Sequence, residues 1–235
     1  MSITAPQGQG RRDWKTLFFW TYPSDCSPGG APISWAPHFQ HCHRQPNSVD
    51  TPLLSESEIR HRIWQELQRA VPDRHHEWRT PVLATLGVDG APQARTVVLR
   101  HADEGQAVLH IYTDSRSPKV AELEAAPQVS LVFWSKRLSW QLRVRAQATV
   151  LRSGPEVDAV WARISTSAAA GDYLSAQAPG AALEAAADAR AGSPGGAHHL
   201  ALIKLQVLEI DWLELARSGH RRASLTRTDW TWRVP

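Results

Sequence analysis

The chain is predicted to fold mainly as β structure: an antiparallel, closed or nearly closed barrel with a few peripheral helices. Three observations predict this. Short runs rich in Val, Leu, Ile and Thr recur with tight turn signals between them. One of them, "WQLRVRAQATV" at residues 140–150, alternates apolar and polar side chains without a break. Few stretches carry helix signals, which argues against a doubly wound sheet covered by helices on both faces.

Residues 1–52 stand apart. They are rich in Pro, Gly, Ser and Gln and show neither a strand nor a helix period, so a poorly ordered extension is expected, followed by one domain over 53–235. With Met1 as the sole methionine, translation from a non-Met codon near Val49 is the alternative start that would leave this segment out of the native protein.

Regular structure is expected from Ser55. In "SESEIRHRIWQELQRAV" Ser55 and Glu58 form a capping box, Ile59, Ile63, Leu67 and Val71 recur at helical spacing, and Pro72 ends the helix. "TPVLATLGVDGAPQARTVVLR" reads as strand, Asp89-Gly90 turn and strand. "AVLHIYT" (107–113) is a third strand. A short helix then begins with Ser117 as N-cap and Pro118 in its first position. "QVSLVFWS" is the fourth strand and residues 140–150 the fifth. Pro155 opens a helix running to about Arg163. Residues 178–197 are Ala/Gly-biased and read as a linker inside the domain. "HLALIKLQVLEIDWLEL" resumes strand character, and "RSGHRRASLTRTDWTWRV" reads as a closing hairpin.

Composition narrows the function. The 235 residues are 42% hydrophobic and carry a formal net charge of +3 with no long basic run, which argues against a nucleic-acid partner. The apolar runs are too short to span a membrane. Cys26 and Cys42 make no disulfide framework, and a cytoplasmic protein is expected. Cys26 with His38, His41, Cys42 and His43 matches no common zinc spacing, so no metal site is expected.

Arginines bracket the apolar run "RTVVLR" (95–100). In a regular strand Arg95 shares a face with Val97 and Leu99, and Arg100 with Thr96 and Val98, so the two cations cannot form one patch unless a bulge or strand end intervenes. At strand ends both could simply reach solvent. A sharper reading comes from Ser117-Pro118-Lys119, which opens a helix just after the next strand. A helix start offers free N–H groups and a positive dipole end, Lys119 adds a full charge, and phosphate favours such a place.

"RTVVLR", "IYTDSRSPK" and "SLVFWSKRLSWQLRV", in this order and spacing, resemble the pyridoxamine 5'-phosphate oxidase-like proteins, FMN-binding split β-barrels that dimerise around two flavins. The likeness runs from about Leu53 to the C-terminus. It implies a six-stranded antiparallel split barrel, FMN as cofactor, and a homodimer with FMN at the subunit interface. It also implies cofactor contacts from Arg95, Thr96, Val97, Val98, Leu99 and Arg100, with Arg95 near the phosphate. Tyr112 and Thr113 would lie along the cofactor, with Ser117 and Lys119 on its phosphate. Gln141 would reach the ring edge and Gln177 would match a second glutamine. Trp212 and Arg222, ten residues apart as in the family, would close over the cofactor.

The departures concern the substrate. Where the family's oxidases hold a substrate phosphate with Tyr, Arg and Ser, this chain aligns Val160, Ile164 and Ala168, with Arg163 one place off. A further substrate arginine aligns to Ser218, and the family's lysine at the end of the first cofactor strand is Arg100. The resemblance therefore implies an FMN-dependent oxidoreductase of an unidentified, less anionic small substrate, and inefficient oxidation of pyridoxamine phosphate. A non-catalytic FMN-binding protein and a split barrel using deazaflavin or haem are the alternatives. Without the resemblance, Tyr112 and Thr113 are ordinary strand residues, Gln141 belongs to a solvated barrel face, and Trp212 is a core tryptophan.

Overall fold

The computed structural model describes residues 54–182 and 197–235. The expected extension over 1–52, with its His and Cys residues, lies outside them, as do residues 183–196 of the Ala/Gly-biased stretch. Ser55 starts the first helix, α1 (Glu56–Ala70). Its Oγ accepts from the Glu58 N–H at 3.4 Å, and its own N–H donates to Glu58 Oε2 at 2.7 Å, the reciprocal pairing the sequence predicts. Ile59, Ile63 and Leu67 are fully buried, so this face is what fastens α1 to the sheet.

The strands are β1 (Val82–Leu86), β2 (Pro92–Thr96), β3 (Leu99–Asp103), β4 (Val108–Asp114), β5 (Gln128–Ser135), β6 (Trp140–Leu151), β7 (Leu200–Glu214), β8 (Arg221–Leu225) and β9 (Trp230–Arg233). Helix α2 (Pro118–Ala125) follows β4, and α3 (Pro155–Ile164) follows β6. The order is β2-β1-β5-β6-β7-β4-β3, and all pairs are antiparallel.

The two edges of that path, β2 and β3, are consecutive in sequence with only Val97 and Val98 between them. The chain itself therefore ties one edge of the sheet to the other and curls it into a barrel. Counting β2 and β3 as halves of one broken strand, the path has six strands. This corrects the reading of "RTVVLR" as one continuous strand: β2 pairs with β1 and β3 with β4, so the run must break where its partner changes. The C-terminal hairpin β8–β9 does not close the barrel either. It pairs onto β7 alone and extends beyond the path.

Along β6 the alternation holds as predicted. Trp140, Leu142, Val144, Ala146 and Ala148 are buried, while Arg143, Arg145 and Thr149 face out. Trp78, Phe133, Trp140 and Trp212 fill the main core together with the aliphatic face of α1. A second cluster, Val157, Val160, Tyr173, Leu200 and Leu202, lies under α3.

The β5–β6 turn carries strain. Ser139 has φ +55, a left-handed conformation that costs a side-chain-bearing residue about 1–2 kcal/mol. Ser139→Gly is expected to raise stability by about 0.5–1 kcal/mol after the extra freedom of glycine in the unfolded chain is subtracted. Urea unfolding would show it as a higher midpoint at unchanged slope.

Candidate functional site

Strand β4 carries neighbouring residues to two different cationic places. Thr113 is buried, and its Oγ1 accepts from Lys119 Nζ at 3.0 Å. Lys119 Nζ also meets Ser117 Oγ at 2.6 Å. Ser117 does occupy the N-cap position of α2, but its side chain makes no capping bond because it is committed to the lysine. Among the described residues Lys119 has no carboxylate salt-bridge partner. Burial, then the nearby Arg95 guanidinium, push its ammonium below the ordinary lysine range.

Arg95 completes this cradle. It reaches Thr85 Oγ1 and donates to Glu122 Oε2 at 2.7 Å, and Thr85 Oγ1 donates to the same carboxylate oxygen at 2.5 Å. Glu122 is buried on α2. Two cations therefore face one buried carboxylate and three hydroxyls, a net positive cluster whose chemistry suits a phosphate. Arg95 is already paired with Glu122, whereas Lys119 has no carboxylate salt-bridge partner among the described residues.

Arg100 goes elsewhere. A bulge in β3 moves the register from Leu99 opposite Ile111 to His101 opposite His110, so Arg100 is the extra residue. Its guanidinium lies over the Tyr112 ring, 5.8 Å from the centroid. Arg100, His101, His110, Tyr112, Val160 and Arg163 line a cavity of about 250 Å3 between α3 and the outer face of the sheet. Arg163 Nη2 stands 3.4 Å from the Tyr112 hydroxyl. Neither arginine has a carboxylate salt-bridge partner among the described residues. The expectation of an apolar lining is thus corrected in part. Val160 does line the pocket and Ile164 packs in the cluster behind it, but one helical turn after Val160 comes Arg163, on the same face.

The remaining candidates divide. Val97 and Leu99 are buried in the core, so only their backbone can meet a ligand; Thr96 is exposed and Val98 half-buried. Gln177 is brought close to the cradle. Arg116, held to Asp114 by contacts of 3.0 and 2.7 Å, donates to the carbonyls of Ser175, Ala176 and Gln177, and Gly180 packs on Pro118.

Trp212 sits in the core of this chain. It is fully buried beside Trp140, ring centroids 5.3 Å apart, because its register partners Leu142 and Ala223 also face the core. Arg222 faces outward but is bound twice to Asp211, at 3.0 and 2.7 Å, and so is not free to close over a ligand. Gln141 and Arg222 flank Leu213 from opposite sides. That row is remote from the cradle. Thr113 pairs with Ala201 and Gln141 with Leu213, twelve residues further along β7, or about 40 Å of extended chain.

Sequence reasoning missed Arg116, Glu122 and the His101–His110 pair. The Asp114-x-Arg116 spacing was the only signal for the first. The others depend on which strands and helices become neighbours.

Residues 61–152 match the FMN-binding domain of pyridoxamine 5'-phosphate oxidase. That span contains the whole cradle, Arg100, Tyr112 and Gln141, but not Arg163, Gln177, Trp212 or Arg222. A pyridoxine/pyridoxamine 5'-phosphate oxidase of Thermosynechococcus vestitus is 39% identical over 98 residues, 42% of this chain and 44% of that protein. The Chromobacterium violaceum oxidase of the same name is 34% identical over 125 residues, 53% and 56% of the two chains. The chain thus spans about half the length of the curated relatives it matches.

Two solved structures share the fold. A pyridoxamine 5'-phosphate oxidase-related, FMN binding protein from Nostoc punctiforme has a TM-score of 0.59 at 21% identity, covering 77% of this chain and 100% of its own. PhzG from Burkholderia lata, in complex with tetrahydrophenazine-1-carboxylic acid, has a TM-score of 0.60 at 23% identity, covering 79% and 95%.

Proposed function

We propose that this chain, whose residues 61–152 match the FMN-binding domain of pyridoxamine 5'-phosphate oxidase and whose fold is shared by an FMN-binding protein of that kind, is a homodimeric FMN-dependent oxidoreductase acting on a small organic anion. The observation that carries this reading is Lys119: a half-buried ammonium beside Arg95, whose hydrogen bonds among the described residues go to the hydroxyls of Thr113 and Ser117. Such a group gains from a phosphate, because nearby Glu122 and Asp114 are already engaged by Arg95 and Arg116.

Bound FMN supplies the redox chemistry, accepting a hydride or electrons from an organic substrate. The chain's part is to hold and orient. Lys119, Ser117, Thr113 and Arg95 would grip the cofactor phosphate. Arg100 and Arg163 would fix an anionic group of the substrate, and the Tyr112 ring gives that pocket a flat wall. Two guanidiniums without a carboxylate salt-bridge partner among the described residues favour an anionic substrate, which revises the expectation of a less anionic one.

Distance supports the homodimer. Gln141 and the cradle lie near opposite ends of β7, too far apart for one chain to bring both to one flavin. If both contact FMN, they come from two copies.

Purified protein should carry FMN, identified by mass after heat release, and elute at twice the chain's mass. Pyridoxamine 5'-phosphate should not bleach the bound flavin rapidly under anaerobic conditions. Val160 and Ala168 supply none of the hydroxyl donors of the family's oxidases, and each lost bond to a charged group costs about 1.5–3 kcal/mol. A colourless protein, or rapid bleaching, would overturn the corresponding half of this reading. Flavin that no donor reduces would mark a non-catalytic FMN-binding protein.

A further inference from the structure

The pocket beside α3 contains a pair of side chains for which FMN binding has no use. His101 on β3 and His110 on β4 face each other directly, ring centroids 4.7 Å apart and planes inclined by 38°. The bulge creates this arrangement, because it lets Arg100 and His101, neighbours in sequence, line the same pocket.

The groups facing His110 are His101 and Asp103 from β3, Tyr112 from its own strand, Lys204 from β7, and Glu156 and Arg163 from α3. Lys204 and Glu156 neutralise each other through two contacts of 3.0 Å. Arg100 and Arg163 have no carboxylate salt-bridge partner among the described residues, Arg100 bonding the Tyr173 hydroxyl and Arg163 lying 3.4 Å from that of Tyr112. Burial, followed by His101 and Lys204, pushes His110 down to about 4, so its ring is uncharged at neutral pH. That balance reflects the protein's own charges alone. One negative charge about 5 Å from the ring, at an effective dielectric constant of about 20, favours the imidazolium more than about a hundredfold.

We propose that His101 and His110 form a proton-uptake element: a proton enters the pair as an anionic group settles between Arg100 and Arg163, so that the pocket favours doubly charged anions and holds them more tightly in mild acid. This rests on the reading of the pocket as the seat of the substrate's anionic group.

Inorganic sulfate is a suitable probe, since its charge is constant from about pH 5.5 to 8 while histidine titrates there. Excess FMN would fill the Arg95–Lys119 cradle during the measurement. Histidine proton resonances should show His110 titrating only in acid without sulfate, and near neutral pH with it. Sulfate affinity should rise as pH falls, approaching tenfold per pH unit where one proton accompanies each anion. In His110→Gln and in His101→Gln that slope should weaken, and in the double substitution sulfate affinity should change less than about twofold over the same range.

Sulfate binding that requires Arg100 and Arg163, tested as Arg100→Gln and Arg163→Gln, yet is flat with pH would overturn the proton uptake and leave the substrate pocket standing. Binding indifferent to both arginines, or absent, would overturn the pocket reading and this inference with it. Neither result bears on whether FMN is bound.

Discussion

Lys119→Ala is expected to weaken FMN binding by about one to two orders of magnitude, or about 1.4–2.7 kcal/mol, through loss of a charge-assisted phosphate contact. Arg95 cannot make up the loss, because Glu122 already holds it at 2.7 Å. The effect should have opposite character with and without cofactor. Burial and Arg95 disfavour the charged lysine, so removing it should not lower the melting temperature of the flavin-free protein. The stabilisation conferred by FMN, which grows with the ratio of ligand concentration to dissociation constant, should shrink. Lys119→Arg should recover part of the affinity, since it keeps the charge but not the compact ammonium that fits between Thr113 and Ser117. An unchanged FMN dissociation constant in Lys119→Ala would remove the cradle from the argument.

The largest expected loss of stability comes from Glu66→Ala. Glu66 is 3% exposed on α1 and ties three parts of the fold together. His76 Nδ1 accepts the Trp78 N–H at 3.1 Å, so the proton of the ring is on Nε2, which donates to Glu66 Oε2 at 2.8 Å. Arg137, from the β5–β6 turn, reaches the same oxygen at 2.5 Å, and Arg69 the other at 3.3 Å. Removing the carboxylate strands a buried donor and a guanidinium at once, a change that costs about 3 kcal/mol. For a chain of this size that lowers the melting temperature by about 6–12 °C. A loss under about 1 kcal/mol would show that the network contributes little.

Glu66 also predicts a pH dependence. Burial pushes its carboxyl up, but the His76 bond, then Arg137 and Arg69, outweigh burial and hold it below its ordinary 4.5. A carboxyl depressed in the folded state contributes stability that is complete above its unfolded value and lost as pH falls through the folded one. Wild-type stability should therefore fall below about pH 4.5, and less steeply in Glu66→Gln. Asp211 and Glu214 are depressed in the same direction and add to the acid sensitivity.

Local features of this chain are legible without coordinates because they depend on residues a few positions apart. The Ser55–Glu58 capping box, the Asp89-Gly90 hairpin and the alternation of β6 need no partner to be read. The cradle is legible for a similar reason: Thr113, Ser117 and Lys119 lie within seven residues, across one strand end and one helix start. Arg95 joins them only because α2 settles against β1 and β6, within reach of β2, which no local pattern announces.

The sequence by itself determined the mainly β class, the helix starts and the Thr113–Ser117–Lys119 cluster, since each is set by periodicity, capping or short-range chemistry. Tertiary structure alone decided the direction of individual side chains. The change of pairing partner at Val97–Val98 and the bulge at Arg100 sent the two arginines of "RTVVLR" to separate places. The register of β6, β7 and β8 turned Trp212 into the core and tied Arg222 to Asp211. The packing of α3 put Arg163 beside Arg100. Strand side chains alternate with a period of two, so a single residue of register reverses which face they serve. That register comes from pairing with other strands, some of them far along the chain as Leu213 is from Gln141, and a short motif does not contain it.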